Sequence, residues 1–224
     1  MLKVSIICLF EEYLKGPLSC SMLKKAQDEK LLQVELIDLR DFGTGKHRSV
    51  DKKPYGGGSG MLLMAEPLGN AIDSVIQKNS TVLFPSPRGS SFSSAIAKEL
   101  STKQHLIFVC GYYEGIDQRI VDLYVDREIS IGDYVLTNGA LSSLVILDAT
   151  ARFLPGFLGG GQEAHSQESF ENKRLEYSQY TYPRNYKGAL VPDILLSGNH
   201  GQVDKFKDQN SIDVTRQKRP DLLD

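Results

Sequence analysis

Apolar positions in the first part of the chain follow two periods, and together they spell out alternating strands and helices. Leu2–Phe10 is an almost unbroken apolar run and predicts a buried strand. Leu18, Met22, Leu23 and Ala26 fall at helical spacing and predict a helix over Leu18–Lys30. Leu32–Leu39 alternates apolar with polar and predicts a second strand. Strand, helix, strand in that order implies a parallel pair joined by a right-handed crossover. The pattern continues with a helix over Met61–Gln77, with Pro67 near its first turn, and a short strand over Thr81–Phe84. An amphipathic helix over Ser91–Leu100 and a buried strand over Leu106–Val109 follow. Glu114, Gly115, Ile116 and Asp117 form a turn at which a further helix begins, and a second short apolar run reaches Ile129. Leu141–Phe153 is apolar nearly all round and is closed by Pro155-Gly156. Such a helix must be buried in its own domain or against a partner chain, and a self-complementary face favours a two-fold dimer.

The interruptions carry the candidate chemistry. Within Leu106–Leu141, two strand ends each run into a glycine loop, which exposes backbone N–H and C=O groups to a ligand. Asp41–Gly60 is a long glycine-rich stretch holding Lys46, His47, Arg48, Lys52 and Lys53. It reads either as a mobile surface loop or as a loop closing over an anionic partner, and the cations favour the second. It is no Walker loop, because no Gly-Lys-Ser/Thr follows. His105 at a strand start and the Met61–Met64 run read as structural.

From Leu158 the composition changes. Gly159, Gly160 and Gly161 open a flexible linker over 159–169, and 170–224 is expected to form a small helical domain with a helix over Val203–Arg219. Tyr177, Tyr180, Tyr182 and Tyr186 interleave with Lys173, Arg174, Arg184 and Lys187, which suits unstacked bases and phosphates. A small solvated domain with aromatic anchors fits the same residues equally well.

Composition adds limits. The chain of 224 residues is 41% hydrophobic and 24% charged, as expected of a soluble globular protein. A formal net charge of −2 argues against coating nucleic acid non-specifically and leaves room for a local basic site. Cys8, Cys20 and Cys110 lack metal-ligand spacing, and Cys8 and Cys110 lie in apolar runs suited to a reducing compartment. No apolar stretch approaches the ~20 residues of a membrane span, and the cytoplasm is the expected location. These features do not decide between a nucleotide-dependent enzyme and a binding module. A doubly wound nucleotide hydrolase is the weaker reading, since the first strand exits as Phe10-Glu11-Glu12 without a glycine fingerprint.

Longer strings narrow the choice. They are Lys46-His47, Pro54-Tyr55-Gly56-Gly57-Gly58-Ser59-Gly60-Met61, Cys110-Gly111-Tyr112-Tyr113-Glu114-Gly115-Ile116-Asp117 and Ser130-Ile131-Gly132-Asp133-Tyr134-Val135-Leu136-Thr137. Ala151-Arg152-Phe153-Leu154-Pro155-Gly156, Ser197-Gly198-Asn199-His200 and Arg219-Pro220-Asp221-Leu222-Leu223 continue the series. In this order they resemble the bacterial tRNA (guanine-N1)-methyltransferase family, the TrmD type, nearly end to end. The resemblance implies an α/β fold of SPOUT type: a parallel sheet with a deep trefoil knot in residues 1–158, then the linker and a helical tRNA-binding domain. It implies a homodimer with the active site at the interface. The implied reaction moves a methyl group from S-adenosylmethionine to N1 of the guanosine immediately 3′ of the tRNA anticodon, with magnesium assistance.

The family's cofactor loops match Pro85, Ser86, Pro87, Arg88 and Gly89, then Gly111, Tyr113, Glu114 and Gly115, then Ser130, Ile131, Gly132, Tyr134, Leu136 and Gly139. Its substrate positions match Lys46, His47, Asp51, Tyr55, Gly57, Gly58 and Gly60. Its catalytic pair matches Arg152 and Glu168, the latter standing where the family has an aspartate. No metal-ligand cluster is visible. A relative that keeps the fold and binds S-adenosylmethionine or RNA without turnover is the alternative.

Overall fold

Alternate residues of the central strands leave opposite faces of one parallel sheet, and each face has its own helices. A computed structural model of the chain describes residues 1–158 and 168–223, and the chain divides into two compact units, Met1–Leu158 and Gly159–Asp224. The first unit runs β1 (Leu2–Cys8), α1 (Glu12–Leu18), α2 (Ser21–Asp28), β2 (Leu32–Asp38), β3 (Asp51–Lys52), β4 (Leu62–Leu63) and α3 (Ala65–Val75). It continues with β5 (Ser80–Ser91), α4 (Ser94–Ser101), β6 (His105–Val109), α5 (Gln118–Tyr124), β7 (Arg127–Ser130) and α6 (Ala140–Ala151). The five-stranded sheet has the order β2-β1-β6-β5-β7, and every neighbouring pair is parallel. All carboxyl ends therefore lie along one edge, where open parallel sheets hold ligands.

On one face Val4, Ile6, Cys8, Leu106 and Phe108 pack with Leu14, Leu23, Leu100, Ile146 and Leu147 of α1, α2, α4 and α6. On the other, Ile7, Val82, Ile107 and Val109 pack with Leu68, Ala71, Ile72 and Ile120 of α3 and α5. Burial on both faces explains why these strands read as continuous apolar runs. Cys8 and Cys110 are buried in this core, as their neighbours in sequence suggested, and Cys20 is exposed.

Four elements differ from the sequence reading. The helix expected over Leu18–Lys30 is confined to α2, which opens at Ser21 with a positive φ of 52°, and a separate short helix that the spacing did not mark, α1, precedes it with Pro17 in its last turn. The helix expected from Met61 starts at Ala65, because Leu62–Leu63 pairs with Asp51–Lys52 as a strand and Leu63 N–H donates to Gly115 O at 3.1 Å. The strand expected to stop at Phe84 extends to Ser91. Pro85 and Ser90 both pair with Ile129, so Ser86–Gly89 arches out of the sheet and the chain returns to the same neighbour. The helix expected from Ser91 accordingly begins at Ser94, capped by the Ser93 hydroxyl, which accepts from Ile96 N–H at 3.4 Å.

The second unit contains the hairpin of β8 (Asn185–Tyr186) and β9 (Ala189–Leu190), and α7 (His200–Lys218). Among its described residues only Thr215 is buried. An extended segment is tied to α7 by polar side chains. Leu175 N–H donates to Thr215 Oγ1 at 2.9 Å, Ser178 N–H to Asn210 Oδ1 at 2.7 Å, and Ser211 Oγ to Leu175 O at 2.6 Å. No helix among the described residues is long and apolar enough to cross a membrane. Residues 159–167 of the expected linker lie outside the described residues.

Candidate functional site

At the carboxyl edge of the sheet, three returns of the chain enclose one pocket. The first is the arch of β5. Its Ser86 hydroxyl accepts from Arg88 N–H at 3.2 Å, and Gly89 brings the chain back against β7, where a Cβ would lie 2.3 Å from Ile129 N. The second leaves β6 at Gly111 and turns at Tyr113, whose φ of 56° is a left-handed conformation seldom taken by a side chain of this size. The third leaves β7. Ser130 Oγ accepts from Gly132 N–H at 3.2 Å, and the Tyr134 ring folds over Gly132 with its hydroxyl donating to Ile131 O at 3.2 Å.

The third return then crosses to the second. Gly139 N–H donates to Gly111 O at 2.9 Å, and Tyr112 bridges Asn138 in antiparallel fashion. All the sequence-derived cofactor positions line this pocket except Arg88 and Gly89. Arg88 instead reaches Gln118 Oε1 at 3.1 Å. Phe84, Tyr112, Ile129, Val135, Thr137, Asn138 and Ser142 also line it and were not among the expected cofactor positions. Their signal was adjacency: each sits within or beside a glycine or proline turn already marked.

The lining combines apolar walls, many backbone polar groups and one carboxylate. That carboxylate, Glu114, lies over Gly60, where a Cβ would come 2.4 Å from its Oε1. Glu114 N–H donates to Met61 O at 3.1 Å. The exit of the glycine-rich loop thus rests on the second return, which brings Gly60 to the pocket's margin. Lys46, His47 and Asp51 line a separate open cleft with Arg40, Asp41 and Arg48, and Tyr113 belongs to both clefts. Arg48 is paired with Asp41 at 3.2 Å. Tyr55 is fully exposed, and Gly57 and Gly58 have positive φ.

Arg152 ends α6 and is half-buried in the first unit. Glu168 is in the second unit, in a small cleft with Arg174, Tyr177, Asp204, Lys207 and Asp208. In that cleft Arg174 pairs with Asp208 at 2.9 Å and the Lys207 ammonium sits 4.9 Å from the Tyr177 ring centre.

Charge near the pocket is organised locally. The Asp117 carboxylate caps α5 through Arg119 N–H at 3.0 Å and holds the Arg119 guanidinium through two further bonds at 2.9 and 2.8 Å. That guanidinium keeps the Asp117 carboxyl below its usual range. Cys110, behind the pocket, has its thiol pushed up to about 12, mainly by burial. No group of three or more His, Cys, Asp or Glu suited to a metal ion occurs among the described residues.

Comparison with known proteins agrees along the whole chain. Residues 2–224 match the family model described as tRNA (Guanine-1)-methyltransferase TrmD. A tRNA (guanine-N(1)-)-methyltransferase of Carboxydothermus hydrogenoformans is 48% identical over 222 residues, covering 99% of this chain and 87% of the relative. One of Dictyoglomus turgidum is 49% identical over 224 residues, covering 100% of this chain and 91% of the relative. One of Protochlamydia amoebophila is 46% identical over 220 residues, covering 98% and 99%.

Proposed function

The chain belongs to the tRNA (guanine-1)-methyltransferase family, and on that premise we propose that it methylates N1 of the guanosine immediately 3′ of the anticodon in tRNA, with S-adenosylmethionine as donor. The observation that carries the reading is the convergence of the arch of β5 and the loops after β6 and β7 on one pocket at the sheet's carboxyl edge. The donor fits that lining. Apolar walls and backbone groups suit an adenosine, and Glu114 offers negative charge to a cation. The non-catalytic alternative is not favoured, since the relatives carry enzyme names.

Bound S-adenosylmethionine supplies an electrophilic methyl group on a positively charged sulfur. The chain's residues handle the rest. Guanine N1 carries a proton and must lose it as the methyl arrives. The Glu168 carboxylate accepts that proton, and the Arg152 guanidinium offsets the negative charge that grows on O6. The donor would depart as a neutral thioether, with the electron pair of its broken sulfur–carbon bond. Lys46, His47, Asp51, Tyr55 and the glycines at 57, 58 and 60 face the RNA. The magnesium implied by the family meets no cluster of candidate ligands among the described residues, and these steps rest on side chains.

The finer architecture follows the same reading. The chain through 85–139 is threaded as a trefoil knot, supported by the third return crossing to Gly111 and Tyr112 before α6 packs on α1 and α4. The protein is a homodimer with its site at the interface, supported by Leu141 and Val145, exposed at 42% and 48% on one side of α6. Residues 170–224 form the tRNA-binding domain, joined by the 159–169 linker and supported by exposed Tyr180, Tyr182 and Tyr186 beside Arg184 and Lys187.

The test is to incubate the purified chain with S-adenosylmethionine and a tRNA carrying guanosine immediately 3′ of its anticodon, then assay nucleosides for 1-methylguanosine by mass spectrometry. Product is expected. Glu168→Gln and Arg152→Ala are expected to abolish it while donor binding is retained. No product from the unaltered chain would overturn the function, and undiminished product from Glu168→Gln would overturn the base.

A further inference from the structure

Behind the pocket, at the start of α6, three donors converge on one carbonyl. Gly139 O accepts from Ser143 N–H at 3.0 Å, from Ser142 Oγ at 3.0 Å and from Ser143 Oγ at 2.8 Å. The first is the ordinary helical bond, and it would satisfy this carbonyl unaided. The hydroxyls do no capping, because the N–H groups, not the carbonyls, are the orphans of a helix start. Alanine is the better helix former at both positions, and both are buried. Something other than helix formation is served by placing two hydroxyls here.

Ser143 Oγ also lies 3.3 Å from Cys110 Sγ. A serine hydroxyl has one proton, and Ser143 gives it to Gly139 O. The proton between sulfur and oxygen must then come from the thiol. Burial keeps that thiol protonated at any neutral pH. The result is a directed relay, Cys110 S–H to Ser143 O–H to Gly139 C=O. Its two ends are the roots of two pocket loops, since Gly111 opens the return after β6 and Gly139 closes the return after β7. On the pocket side the same pair is joined by Gly139 N–H to Gly111 O at 2.9 Å. The backbones are already in contact: a Cβ on Gly139 would lie 2.9 Å from Gly111 N and 3.0 Å from Cys110 Cα.

We propose that Ser143, acting through the Cys110 thiol and the Gly139 carbonyl, is a positioning residue for the methyl-donor pocket, and that Ser142 pins the same carbonyl from the pocket side. The relay fixes the spacing of the two loops, so that their backbone groups meet the donor without rearrangement. This rests on the cofactor reading above.

The experiment measures S-adenosylmethionine binding to the full chain by calorimetry, and initial rates with tRNA, for the unaltered protein, Ser143→Ala, Cys110→Ala, the double variant and Ile146→Val. Ile146 is a core residue of α6 one turn beyond Ser143, its aliphatic side chain makes no hydrogen bond in the relay, and it serves as the packing control. Ser143→Ala is expected to weaken donor binding about tenfold, the scale of one or two lost hydrogen bonds, with KM for the donor rising in parallel and kcat within about twofold. Cys110→Ala is expected to weaken it less, and the double variant no further than Ser143→Ala, because both substitutions break one relay. Ile146→Val is expected to lower the melting temperature with donor affinity unchanged.

Donor affinity in Ser143→Ala equal to that of the unaltered chain would overturn the relay, as would additive effects in the double variant. If Ser143→Ala does not fold, unchanged affinity in Cys110→Ala overturns it and weakened affinity at unchanged kcat supports it. An unaltered chain that binds no S-adenosylmethionine would overturn the cofactor reading instead.

Discussion

His105 has both ring nitrogens engaged inside the sheet. Nε2 is 2.9 Å from Ser5 Oγ and Nδ1 is 2.8 Å from Ser80 Oγ. Burial, with a smaller contribution from Lys3, holds its pKa below the usual 6.5, against a weak opposing pull from Glu35. The unfolded chain therefore binds this proton more readily than the folded one. The stabilisation is fully present above 6.5 and is lost as pH falls through and below it. Denaturant midpoints measured from pH 7.5 down to 5 should fall in the unaltered chain and fall less in His105→Gln. The residue's structural role was legible, since a lone histidine beginning an apolar strand has little to act on. Its partners were not, because Ser5 and Ser80 meet it only once β1, β5 and β6 lie side by side.

Elements were legible where a single period governs them and illegible where tertiary pairing overrides local chemistry. Strands β1 and β6 follow their apolar runs closely, as buried parallel strands do, and the edge strand β2 follows its alternation of apolar and polar residues. Pro85-Ser86-Pro87-Arg88-Gly89 carries the signature of a turn, and it is one. The strand nevertheless resumes at Ser90, because Ile129 can pair on both sides of the arch, and no local signal announces that. In the second unit the periodicity identified α7, while the segment alongside it has no period at all. That segment is held by hydroxyl and amide groups whose pairing depends on three-dimensional register. Thr215→Val keeps the shape and removes the acceptor of Leu175 N–H. It should cost the second unit about 1–3 kcal/mol, read as faster hydrogen exchange at Leu175 and a lower unfolding midpoint.

At the scale of the molecule, the quoted strings carry the location of the pocket better than the periodicity does. Glycine turns at three strand ends become one site only because the order β2-β1-β6-β5-β7 sets β5, β6 and β7 side by side. Which face of α6 is left outward was equally hidden: the helix is apolar nearly all round, and only packing selects Leu141 and Val145 for exposure. If that face joins a second copy, sedimentation of the unaltered chain should give a dimer. Val145→Glu, burying a charge at the contact, should shift it to monomer at micromolar concentration and abolish methylation. An unchanged dimer in that variant would remove α6 from the interface. The second unit differs in kind. With Thr215 its only buried residue among those described, its opening uncovers little oily surface. Its stability curve should accordingly be shallow in temperature, with a small heat-capacity step and a broad melt, even as the sheet-bearing unit melts sharply beside it.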